Sequence, residues 1–338
     1  GELNWYAGSN IVDIYDYTTG TWSMYHMASS RGQMSTAIFP DKVIFASGEV
    51  NGYGSNHVDI YDNTSGLWST ATLSTLRKVG GCGVLGSKAY FAGGDYIFQT
   101  SSQVDIYDNI SGLWSTTLLS EARTNIPTAV VGKKIVFAGG QKGWTYMYYD
   151  PIASNRVDIY NKETNAWTQA SLSVARVGTS IARVNNLVLV AGGGYPYGKS
   201  YNVVDIYNST TESWSVAHLS EARFDIATAV LGNRVFFAGG SKKAGVYSNH
   251  VDIYNASNNT WSVKYLSEAK GAMTAVVVGN RIMFAGGTKS SGTTSKVEIF
   301  DGATGLWSIE NLSSPRSSIA SVALNNMAFF GGGRVGMY

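Results

Sequence analysis

Seven basic residues recur along the chain in a fixed frame: Arg31, Arg77, Arg123, Arg176, Arg223, Lys270 and Arg316. Gathered at one mouth, such residues would hold an anion, yet seven unpaired like charges would repel one another strongly. Acids recur just as regularly, at Asp13, Asp59, Asp105, Asp158, Asp205, Asp252 and Glu298. A Glu two residues before the base adds further negative charge at Glu121, Glu221 and Glu268. Two readings follow, an anion-binding crown and a set of internal ion pairs, and the matched acids favour the second. Other chemistry is sparse. His26 and His218 share one frame position and His57 and His250 another, so the four do not converge as metal ligands would. Cys82, the single thiol, excludes an intramolecular disulfide and reads as a small core residue. No nucleophile elbow or phosphate loop is present. No catalytic group, metal or cofactor is expected.

The frame that positions the bases is a repeat. Val-Asp-Ile-Tyr, or a close variant, recurs, and ten residues after each Val stands a Trp: Trp22, Trp68, Trp114, Trp167, Trp214, Trp261 and Trp307. The base comes nine residues after the Trp, and seventeen residues later comes Gly48, Gly94, Gly140, Gly193, Gly240, Gly287 or Gly333. A period of about 47 residues marks a radial or stacked array and takes up all 338 residues as one domain.

Each repeat predicts four short strands. A thin strand of small and apolar residues follows the base, then a polar turn such as Gly132-Lys133, then an apolar run closing in two glycines. Val-Asp-Ile-Tyr is the third strand, and the Trp opens the fourth after an Asn/Thr/Ser/Gly turn. Helical periodicity is absent, so the fold class is all-β. The Trp and Tyr at fixed positions read as the packing between sheets.

These units resemble kelch repeats. The paired glycines, the Tyr closing the third strand and the Trp opening the fourth match that motif in order and spacing. The departures are small: Ser47 for a glycine, Lys270 for Arg, and Glu298 with Phe300 in the last third strand. The resemblance implies a seven-bladed β-propeller of four-stranded antiparallel blades. The chain opens on third and fourth strands and ends on first and second strands, so one blade is expected to be closed by the N- and C-terminal strands together. In kelch adaptors of ubiquitin ligases, residues at the place of the bases help to hold acidic peptides. The resemblance therefore keeps the crown reading open for the seven bases. Against an enzyme, the Tyr–Cys pair with two His of copper radical oxidases on this scaffold is missing. So is the iron motif of plant specifier proteins. Sialic-acid mutarotases of kelch type are a possible cousin, but no distinctive acid–base set is found.

On that scaffold the loops after the paired glycines share a face with the bases. These loops vary in length and content, and one, Gln141 to Arg156, carries an insertion. It holds Trp144, Tyr146, Tyr148 and Tyr149, and sister loops add Trp5, Tyr6, Tyr53, Tyr96, Phe98, Tyr195, Tyr197, Tyr201 and Tyr247. Aromatic side chains on irregular loops suit a binding surface, because they offer large area at low entropy cost. The two residues after each base, such as Lys78-Val79 and Phe224-Asp225, differ between repeats and form a mixed polar rim.

A net charge of +2 gives no reason to expect nucleic acid or anionic membrane as a partner, and no apolar run is long enough to span a bilayer. Six sequons stand at Asn63, Asn109, Asn208, Asn255, Asn258 and Asn311, all but the last in the turn between third and fourth strands. An extracellular, glycosylated protein is expected, with a cytoplasmic one as the alternative, and the chain reads as a possible piece of a larger assembly. The function expected is recognition of a protein or glycan on the loop face. A kelch-fold enzyme acting on carbohydrate (oxidase- or epimerase-like) and an architectural repeat domain are the alternatives.

Overall fold

The structure is a computed structural model that describes residues 9–16, 19–145, 150–195 and 197–335. Every regular element among them is a β-strand. Backbone proximity divides the chain into two units, Gly1–Ala175 and Arg176–Tyr338.

The first unit opens with a two-stranded hairpin, Ser9–Asp16 with Thr21–Arg31. Three antiparallel sheets follow. One runs Ser35–Ile38, Lys42–Ala46, Tyr53–Asp62, Leu67–Arg77, another Gly81–Leu85, Lys88–Ala92, Gln103–Asp108, Trp114–Leu118. The last is Thr128–Val131, Lys134–Ala138, Arg156–Asn161, Ala166–Ser171. The second unit has three such sheets, beginning at Ser180, Ala227 and Thr274, and then the hairpin Ala320–Leu324 with Met327–Gly331. The two hairpins are the outer and inner halves of the repeat.

One register is used throughout. The Ala before the glycines faces the Val of Val-Asp-Ile-Tyr, as in Ala92↔Val104, Ala138↔Val157 and Ala238↔Val251. The Tyr faces the Trp, as in Tyr107↔Trp114, Tyr160↔Trp167 and Tyr254↔Trp261. These rings sit 5.0–5.3 Å apart, a tilted cross-strand pair. The third-to-fourth turn needs a left-handed residue two places before the Trp, met by Gly20, Gly66, Gly112 and Gly305, by Asn165 and Asn259, and by Glu212.

Burial bears out the tryptophans as packing between sheets but sets them at the margin of the core. The fully buried aromatics come from the second strands: Tyr90, Phe91, Phe137, Phe236, Phe237 and Phe284. Lys134–Ala138 is buried along its whole length, as expected where a sheet is covered on both faces. Trp114, Trp167, Trp261 and Trp307 are half-buried and pack on the margins of these clusters, while Trp22 is exposed. The reason is position: the fourth strand is the edge of its sheet and has solvent beside it.

Truncating Phe137 to Ala should therefore cost about 3–5 kcal/mol, and Trp167→Ala clearly less. Urea unfolding of the two variants side by side checks the order. The reverse order would return the tryptophans to the centre of the core.

Candidate functional site

The bases are not a crown. Arg31, Arg77, Arg123, Arg176, Arg223 and Lys270 are all at most 2% exposed. Each arginine reaches the carbonyl of the first residue of the glycine pair: Ser47, Gly93, Gly139, Gly192 and Gly239 in turn. Each also pairs with the third-strand acid of its own repeat, giving Arg31–Asp59, Arg77–Asp105 (2.6 Å), Arg123–Asp158, Arg176–Asp205 and Arg223–Asp252. Burial pulls the pKa of each of these guanidinium groups down, and the aspartate pushes it back up. Lys270, burdened in the same way, donates to the Lys296 carbonyl at 3.1 Å and has Glu298 as its nearby charge. Arg316 is half-buried and donates to the carbonyls of Gly332 and Phe330. Placing these seven among the ligand-binding residues is therefore corrected: their donors are turned into the sheet, and the six most buried have no surface to offer.

The acids lock a second contact, accepting the backbone N–H of Ser74, Ser120, Ser220 and Ser267. The glycine pair joins one repeat to the next. Gly94 donates to the Arg123 carbonyl at 2.7 Å, and Gly240 to that of Lys270 at 3.0 Å. A Cβ on Gly93 would lie 2.3 Å from the Arg123 carbonyl oxygen, so a side chain there is excluded. Where Ser47 replaces the glycine, its hydroxyl donates to the Arg77 carbonyl (2.6 Å) and accepts from Val79 N–H (2.9 Å). The serine thus supplies the joint with its side chain.

The aromatic loops give a different result. In the first unit they form an open groove of about 340 Å³, lined by Asn51, Gly52, Tyr53, Lys78, Asp95, Ile97, Phe98 and Trp144. The Phe98 and Trp144 rings meet edge to face, 5.6 Å apart at 82°. Tyr53 and Tyr96 lie 6.3 Å apart. Lys78 Nζ stands 3.4 Å from both Glu49 Oε2 and Asp95 Oδ2, and Asp95 accepts from the Thr124 hydroxyl at 2.7 Å. Of the expected binding residues, Trp144 lines this groove and Tyr96 flanks it. Tyr195, half-buried, and Tyr197, exposed, belong to the second unit and do not line it. Tyr146, Tyr148 and Tyr149 lie outside the described residues, as do Trp5 and Tyr6.

Sequence reasoning missed the turn that shapes the groove. Tyr96 pairs with Gln99, so Ile97 and Phe98 form a two-residue hairpin turn, with φ of 49° and 52°. Such a turn needs left-handed backbone at both positions and favours Asn-Gly. The preceding repeat uses that pair, with Asn51 and Gly52 between Val50 and Tyr53. Ile97 and Phe98 take up the same backbone at about 1–2 kcal/mol each, and both remain largely exposed. The signal was present as Ile-Phe standing where a sister repeat has Asn-Gly.

The remaining candidates are structural in setting. Among the described residues no group of three His, Cys, Asp or Glu is arranged to hold a metal ion. Burial pushes the Cys82 thiol up to about 12, and it donates to the Thr36 carbonyl. Asn63, Asn258 and Asn311 are exposed, whereas Asn109, Asn208 and Asn255 are half-buried. The Asn109 amide donates to Asp41 at 2.8 Å, and Asn208 and Asn255 accept from the backbone two residues on, as turn formers do.

Residues 175–217 and 222–264 match the kelch motif. The solved structure of YjhT is similar in fold, with a TM-score of 0.57 at 14% identity over 83% of this chain and 97% of that one. No curated protein sequence matches the chain.

Removing one partner of a buried ion pair leaves an uncompensated charge. Asp158→Ala should destabilise the protein by about 3–5 kcal/mol, read from urea unfolding. A loss under about 1 kcal/mol would mean that Arg123 is held by its carbonyl contacts alone.

Proposed function

Taking the chain as the kelch-repeat β-propeller that its motifs and fold make it, we propose that it is a recognition module that holds a protein or glycan ligand in the aromatic groove. The observation carrying this reading is the convergence of Tyr53, Phe98 and Trp144 in one lining with the ion pair of Lys78 and Asp95, which Glu49 joins from outside the lining. Apolar walls with a few placed polar groups are the usual make-up of a ligand site. These charged groups are already paired with one another, which fits binding better than acid–base chemistry. Surface aromatic area also carries an aggregation cost, which a binding role accounts for. Probing glycan and peptide arrays with the wild-type protein and Trp144→Ala tests it. The variant should fold normally and bind at least about tenfold more weakly, as for loss of an aromatic anchor. Undiminished binding by a folded Trp144→Ala protein would move the site elsewhere.

An extracellular setting with glycans on the third-to-fourth turns is part of the same proposal. Asn63 and Asn258, on exposed third-to-fourth turns, are better placed acceptors than the half-buried Asn109. Asn109 would have to surrender its bond to Asp41. Expressed through a eukaryotic secretory pathway, the protein should carry a glycan at Asn63 in higher occupancy than at Asn109, as glycopeptide mass spectrometry would read. Unmodified Asn63 in secreted material would leave the sequons as turn formers only.

A further inference from the structure

The ion pair at the groove narrows the ligand. Lys78 is held between two carboxylates, Glu49 and Asp95, each only 8% exposed. With its ammonium matched by two carboxylates, Lys78 offers no net positive charge to draw an anion, and it stands between the acids and any cation. An apolar side chain from a protein would make no use of the polar groups that Asn51, Lys78 and Asp95 bring to the lining. What fits is a neutral group with one apolar face and hydroxyls that both donate and accept. Phe98 and Trp144, at 82° to one another, give such a group a wall to stack on and a second to abut. Lys78, Asp95 and the Asn51 side chain lie within the same lining to meet the hydroxyls.

The turn carries the second, independent observation. At this hairpin the chain keeps two apolar residues, one of them β-branched, in left-handed backbone where the sister repeat keeps Asn51-Gly52. A β-branched residue at positive φ is an outlier, and strain of this kind clusters at ligand clamps. Phe98 is 61% exposed, so burial of its ring in the protein's own core does not account for the choice. The hairpin is also tied to its neighbour, since the Thr100 hydroxyl donates to the Lys142 carbonyl at 3.3 Å.

We infer that the groove is a subsite for a neutral pyranose ring of a glycan, and that the strained Ile97-Phe98 turn is retained to present Phe98 as its stacking wall. This rests on the recognition reading above and adds the ligand class. The test grafts the sister turn. The double variant Ile97→Asn/Phe98→Gly, with Phe98→Tyr beside it, is melted and probed against neutral oligosaccharides, their sialylated or uronic counterparts, and peptides. The expected result is a higher melting temperature for the graft, by about 1–2 °C for each kcal/mol of strain relieved. Its binding of neutral glycans should fall by about tenfold or more, while Phe98→Tyr keeps the affinity and acidic counterparts bind no better than the neutral parents. Trp144-dependent binding of peptides with none of glycans would overturn the ligand class and leave the recognition reading standing. A graft that melts lower than wild type would overturn the strained-presentation argument, and a graft that binds glycans unchanged would remove Phe98 from the subsite. Failure of the wild-type protein to bind any neutral oligosaccharide overturns the inference.

Discussion

The buried base is the interaction on which the rest of the architecture depends. In one side chain it joins three parts of a repeat that are far apart in sequence: the segment entering the first strand, the glycine pair after the second, and the acid of the third. An arginine does this because its planar fork offers several donors in fixed directions. Placing a guanidinium in the sheet is costly, and the aspartate with the carbonyls offsets that cost only when all are present. The repeat therefore keeps base, glycine and acid together. In one repeat base and acid change together, Lys270 with Glu298, where a shorter cation faces a longer acid. The bases serve the fold, and the search for recognition moves to the loops they hold still.

A second constraint follows from the glycine pair. Its backbone is left-handed, its carbonyl serves the base of its own repeat, and its N–H reaches the carbonyl of the next base within each unit. The pair thus sets the exit direction of every loop that follows it. Ser47 shows how narrow the tolerance is: it adopts φ of 65° and rebuilds the joint through its hydroxyl. Beyond this point the template ends, and the loops are free to vary without disturbing the ladder.

That division explains what could be read from the sequence. The four-strand repeat, its boundaries and the base–acid matching were all legible, because each is repeated and comparison of copies cancels local noise. The depth of the tryptophans was not, since spacing places Trp114 and its sisters on the fourth strand without saying how much of that strand's outer face is covered. The groove was legible only in part. Trp144 and Tyr96 stood out as aromatics on loops, whereas Lys78 read as one more rim residue. Its role depends on Glu49 and Asp95, which come from two different loops and meet it only after folding. The backbone of Ile97 and Phe98 was hidden for a related reason: propensity gives an Ile-Phe pair to a strand, and only the pairing of Tyr96 with Gln99 forces it into a turn.

The repeats also act as an internal control on where stability has been given up. At the third-to-fourth turns, positive φ falls mainly on Gly and Asn, the residues that adopt it most cheaply. These turns differ little in length or shape, and their chemistry follows local preference. At the hairpin of the first unit's middle sheet, local preference is reversed, and the residues that reverse it are apolar and face outward. A conflict between local propensity and adopted structure is what a minimally frustrated sequence avoids unless something else requires it. Here the same two residues line the groove, and the Phe98 ring meets Trp144 on the loop that carries the insertion. Strain, exposure and insertion thus coincide in two adjacent loops of the first unit, on a frame whose buried ion pairs supply the rigidity to sustain them.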